Sequence, residues 1–191
     1  MLIERIFADV DVLLSMKYEE SYDAPNEFGK IADLWDDVEL LTDFFTEHEA
    51  ILKEKWKCTV ENAVLITRLN ASIFFRKLNQ IRKIENPEEK FDAFLCLFKP
   101  LSKNQATKDN INEKKVHVSK DYNWLRLYAL NFGDSYHIIT GGAIKLTRRM
   151  EEAENTKCEL RKFERVRDFF IENGIIDKDG LEDYLIELEI L

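Results

Sequence analysis

The stretch from Trp124 to Thr147 constrains the fold of this chain more than any other. Trp124–Phe132 and Tyr136–Thr147 are dense in aliphatic and aromatic residues, and Gly133-Asp134-Ser135 separates them. Two such runs joined by a short Gly-containing turn predict a β-hairpin. Gly141-Gly142 interrupts the second run, as a bulge or a bend does. It is not a phosphate loop, because it sits inside a strand and lacks the Gly-Lys-Ser/Thr ending before a helix.

Most of the remaining chain has a helical period. Ile6–Tyr18 is partly alternating and β-branched, which suits an opening strand, although Leu2–Leu14 also fits a helix. Glu19–Asn26 has loop composition. Phe28, Ile31, Leu34, Trp35, Val38, Leu41, Phe44 and Phe45 then recur at three- and four-residue steps, as one amphipathic helix or two in tandem, with Asp36-Asp37 as a cap for the second. Thr59 caps a further helix to about Ile84, and Asn86-Pro87-Glu88-Glu89 is a helix start to about Leu97. Ser102–Lys120 is polar and reads as a long loop. Thr156-Lys157-Cys158-Glu159 has the form of a capping box opening a helix that stops before Gly174, and an acidic helix, about Gly180–Glu189, follows.

The expected organisation is therefore one α+β domain over residues 1–191. Residues 1–97 supply an opening strand plus helices, 98–122 a loop, 123–174 the hairpin and helix core, and 175–191 the acidic C-terminal helix.

With 13 Phe and 3 Trp the chain can fill a core, and with 6 Gly and 3 Pro it has few tight turns to spend. Apolar stretches fall well short of a membrane span, and acids interrupt the opening residues, so neither a membrane segment nor a secretory signal is expected. Cys58, Cys96 and Cys158 are odd in number and widely spaced, which predicts reduced, mostly buried thiols and a cytoplasmic protein. His48, His117 and His137 have no ligand spacing with one another or with the cysteines, so no metal site and no cofactor are expected.

The net charge of −9 is unevenly distributed. Residues 1–113 carry 15 Lys/Arg against 22 Asp/Glu, residues 114–170 carry 12 against 8, and residues 171–191 carry 1 against 7. An acidic whole argues against a general nucleic-acid binder, but the basic middle segment leaves room for a local site. Alternation along the hairpin gives that segment a direction. Leu125, Leu127, Ala129, Ile144 and Leu146 form the set to pack against helices. Trp124, Arg126, Tyr128, Lys145 and Thr147 take the other face, with Arg148 and Arg149 at its end. Cations beside aromatic rings suit phosphates and bases; a polar face wetted by water has the same composition.

Phe98-Lys99-Pro100-Leu101, Trp124-Leu125-Arg126-Leu127-Tyr128 and Gly142-Ala143-Ile144-Lys145-Leu146-Thr147, followed by a Glu-containing helix, stand in an order that resembles the RelE/ParE toxin superfamily, especially its HigB-like, phage-derived branch. The similarity covers roughly residues 95–172, with the helical N-terminal part enlarged. It implies a small twisted antiparallel sheet, helices packed on one face, and a basic face opposite. It further implies a toxin restrained by a cognate antitoxin, cleaving messenger RNA on the ribosome by attack of a ribose 2′-hydroxyl on the adjacent phosphate. In that reading Arg126 and Lys145 stabilise charge, and Tyr128 and His137 are candidates for proton handling. Trp124, Thr147, Arg148 and Arg149 would hold the RNA. The pI of about 5.0 and the added helices depart from a minimal toxin, so a catalytically inactive relative that binds a protein or nucleic acid is the alternative.

Overall fold

The computed structural model describes residues 1–7, 10–18, 25–100, 111–117, 122–132 and 136–190. The chain opens with two strands rather than one. β1 (Leu2–Phe7) and β2 (Val10–Lys17) are an antiparallel pair. Helices follow: α1 (Glu27–Asp36), α2 (Val38–Glu47), the short α3 (Glu49–Ile51) running into a wide π-type turn at Leu52–Trp56, α4 (Val60–Arg82) and α5 (Pro87–Leu95). β3 (Lys99–Pro100), β4 (Ile111–His117), β5 (Leu125–Phe132) and β6 (Tyr136–Ile144) complete the sheet. The chain then turns through Met150–Glu152 into α6 (Glu154–Glu172) and α7 (Lys178–Ile190).

Helix boundaries follow local chemistry. The Thr59 hydroxyl accepts from the Asn62 N–H at 3.3 Å, and the Asn86 side chain accepts from Glu88 and Glu89 at 2.9 and 3.2 Å. Gly174, at φ 72°, ends α6: its N–H donates to the Ile171 carbonyl and that of Ile175 reaches back to Phe170, so a residue in the left-handed region is needed here. The expected capping box at Thr156 does not form. α6 has already begun at Glu154, and the Thr156 hydroxyl turns back onto the carbonyls of Met150 and Ala153.

Among the described residues the sheet has six strands in the order β1-β2-β6-β5-β4-β3. The α+β class is as expected, but the antiparallel sheet with helices on one face is corrected in two respects. β2 runs parallel to β6, with Leu13, Leu14 and Ser15 opposite His137, Ile138 and Ile139. Helices also cover both faces. Leu127, Ala129 and Ile139 pack with Trp35, Phe45 and Phe74 of α1, α2 and α4, whereas Leu130, Phe132 and Ile138 pack with Phe163, Val166 and Phe170 of α6. The physical reason lies in β5, which is apolar on successive residues from Leu127 to Leu130; a strand greasy on both faces needs cover on both.

The stretch expected to be a loop contains β4, which pairs with β5 from Ile111 opposite Phe132 to His117 opposite Arg126. The Gly133-Asp134-Ser135 turn and residues 101–110 lie outside the described residues. Cys58 is buried, but Cys96 and Cys158 are exposed, contrary to the expectation of mostly buried thiols; all three are free. Among the described residues no helix is long and apolar enough to cross a membrane.

Candidate functional site

Of the bulge or bend expected at the glycine pair, the strand has a bulge. Tyr128 faces Gly141 and Ala129 faces Ile139, so Thr140 is the extra residue, and the register shifts there. Each glycine then admits a helix to a different face. A methyl group on Gly141 would collide with the Glu159 carboxylate of α6. One on Gly142 would stand 2.7 Å from the Arg126 carbonyl oxygen and 2.8 Å from Ile31 Cδ1 of α1. α1 and α6 thereby grip the same point of β6 from opposite sides.

Beyond that grip, the face on the α6 side continues past the start of the helix and is open. Here lies a cleft of about 990 Å³, lined by Lys115 of β4, Arg126 and Tyr128 of β5, Lys145 just after β6, and Arg148, Arg149 and Met150 of the following turn. Glu151, Glu152 and Leu160 close its rim. Strand alternation accounts for the floor: Lys115 is opposite Tyr128, and Arg126 is two residues before Tyr128 on the same face.

The electrostatics are those of crowded like charges. Burial, then the neighbouring Arg126 guanidinium, lower the proton affinity of both Lys115 and Lys145. Burial likewise lowers that of Arg126. Among the described residues no carboxylate forms an ion pair with Arg126, Lys145, Arg148 or Arg149. Backbone carbonyls position two of the cations instead. Arg126 Nη1 donates to the carbonyls of Asn123 and Leu125, and Lys145 Nζ donates to those of Thr147 and Arg148. Both keep further N–H donors for a ligand. Glu152 caps the backbone N–H groups of Arg148 and Arg149 at 3.0 and 3.2 Å, which holds their loop in place.

Tyr128 is the cleft's unusual polar group. It is 2% exposed, and its hydroxyl oxygen is buried without a hydrogen-bond partner among the described residues. Burial raises its proton affinity far above that of an ordinary phenol, with Arg126 opposing that shift and Glu159 adding to it. The hydroxyl keeps its proton at neutral pH, so it is able to donate a hydrogen bond but not to serve as a base.

The structure brings together Arg126, Tyr128, Lys145, Arg148 and Arg149, and leaves the other three sequence candidates outside the cleft. His137 is buried on the opposite face, its ring tilted against Phe98 at 4.3 Å between ring centroids, because Thr140 is inserted between it and the glycine pair. Trp124 is also buried on that face: its Nε1 donates to Thr67 Oγ1 at 2.9 Å and its ring meets Trp56 and Phe45. It precedes β5, so strand alternation does not extend to it. Thr147 follows β6, and its hydroxyl donates to the Arg149 carbonyl at 2.8 Å, which shapes the loop rather than lining the cleft.

Sequence pattern does not place Lys115 in the site, because its strand has only Ile111 and Val116 as apolar residues. The one available signal was those two positions bracketing a segment otherwise too polar to read as a strand. Among the described residues no group of three or more His, Cys, Asp or Glu is placed to hold a metal ion. Comparison with protein-family models, curated proteins and solved structures finds no match to this chain.

Proposed function

We propose that the chain is a toxin-like RNA-binding protein that takes the phosphate backbone of single-stranded RNA in this cleft. The observation carrying the proposal is the convergence of five cations from two strands and the loop after β6 on one cleft. An anion relieves their mutual repulsion and uses the remaining N–H groups of Arg126 and Lys145. The net charge of −9 confines attraction to this concavity, which suits a few phosphates of a flexible strand better than a long duplex.

Cleavage of that RNA is the second reading, and Tyr128 favours it. A protonated hydroxyl among cations can donate to a phosphorane oxygen or to the leaving 5′-oxygen. Attack by the 2′-hydroxyl also needs a base. His137 faces the other way, and Glu152 is occupied by the Arg148 and Arg149 N–H groups. Glu151 on the rim is the remaining carboxylate of the lining, so cleavage by the chain alone rests on its reaching the 2′-hydroxyl, whereas binding needs no such step.

The test is titration of a labelled 12-nucleotide RNA, followed by gel analysis of the same samples. The parent binds, and Arg148→Glu/Arg149→Glu weakens binding about tenfold or more, since both side chains are exposed phosphate contacts. Equal binding by parent and variant would reject the cleft. Strand scission that Lys145→Ala abolishes would promote the enzyme reading over binding alone.

A further inference from the structure

α4 buries one side fully. Ala63, Val64, Thr67, Ala71, Phe74 and Leu78 face the sheet and neighbouring helices. The opposite side should be polar, yet Leu65, Leu69 and Ile73 are 64%, 61% and 49% exposed. Their spacing of four makes them one ridge on the helix surface, about 12 Å long at ~1.5 Å per residue. The next ridge positions at either end are charged and exposed: Glu61 towards the N-terminus and Lys77 towards the C-terminus. The ridge thus reads acid, Leu, Leu, Ile, base, which is complementary to its own reversal.

We infer that α4 is a self-association surface, and that two copies of this chain pair antiparallel through it about a two-fold axis at Leu69. The operator sets Leu69 against Leu69, Leu65 against Ile73, and Glu61 against Lys77 of the other copy. A parallel arrangement would stack Glu61 on Glu61 and Lys77 on Lys77, so the charges select the antiparallel one. Such an interface is isologous and closes at two copies rather than propagating. Arg68 beside the ridge already pairs with Asp36 of α1 at 2.9 Å, so the apolar strip has a satisfied polar margin. The inference is independent of the RNA reading: α4 covers the sheet face away from the cleft, and a dimer leaves both clefts open.

Sedimentation equilibrium of the full chain over a micromolar concentration series tests it. The parent mass rises towards twice the 22.6 kDa of one chain. Leu69→Lys stays monomeric with an unchanged circular dichroism spectrum, because the position is exposed in the monomer. Glu61→Lys raises the dimer dissociation constant about tenfold, and Glu61→Lys/Lys77→Glu restores it, since the swap preserves complementarity. A parent that remains monomeric throughout would assign the ridge to some other protein and overturn the proposal. A swap no better than the single reversal would overturn the antiparallel register, whatever Leu69→Lys does.

Discussion

Glu159 shows how much can depend on one side chain in this molecule. It is 8% exposed on α6, in the space that Gly141 leaves open, and it shares Lys162 with Glu27 of α1. Lys162 Nζ lies 2.9 Å from the Glu159 carboxylate and 2.8 Å from that of Glu27, and Lys30 adds a longer contact to Glu27 at 3.5 Å. This buried cluster ties the helices of the two sheet faces together where β6 passes between them. Burial raises the proton affinity of Glu159, Lys162 opposes the shift, and Glu27 reinforces it, so the carboxyl titrates above its ordinary value of 4.5. A carboxyl that holds its proton more tightly folded than unfolded contributes stability below about 4.5 and loses it as pH rises through the folded value. Glu159→Gln removes that loss. In urea denaturation at pH 4, 5.5 and 7, the stability of the variant relative to the parent is expected to increase with pH. A constant difference would show that Glu159 titrates normally.

At the scale of elements, short-range chemistry was legible wherever a cap or a clean period was present. The tandem helices of residues 27–47 divide at Asp37, whose N–H closes α1 on the Asp33 carbonyl at 3.0 Å. Its carboxylate opens α2, accepting from Glu39 and Leu40 at 2.9 and 3.0 Å. Asp37→Ala is expected to cost about 1 kcal/mol, as for other caps of this type, read as a lower urea midpoint with an unchanged slope. Asp37→Asn should retain most of it. β4 escaped notice for the opposite reason. Asn112, Glu113, Lys114 and Lys115 have little strand preference, and the segment is a strand because the outer edge of β5 offers it a ladder. The opening segment was half legible: its β-branched residues indicated a strand, but not a second strand folding back on it.

For the whole molecule the decisive quantity is where the charge lies. A net −9 repels nucleic acid at long range, while the cleft concentrates Lys115, Arg126, Lys145, Arg148 and Arg149 in one concavity. If three or four of these contact phosphates, the slope of log K against log salt for single-stranded RNA should be about −2 to −3. Titrations in a potassium chloride series measure it, and a flat dependence would mean that the cleft does not contact the backbone. By itself, the sequence determined the helices, the hairpin, the bulge beside Gly141-Gly142 and the alternation that sets Arg126 and Tyr128 on one face, since these are local consequences of period, capping and backbone freedom. Tertiary structure decided the rest. It made β2 parallel to β6, recruited Lys115 from a polar strand, turned Trp124 into the helical core, and used Thr140 to carry His137 to the far side. Alternation holds only within a continuous strand: one extra residue, or one step beyond the strand's end, sends a side chain to the other face, and only packing between distant segments determines where that happens.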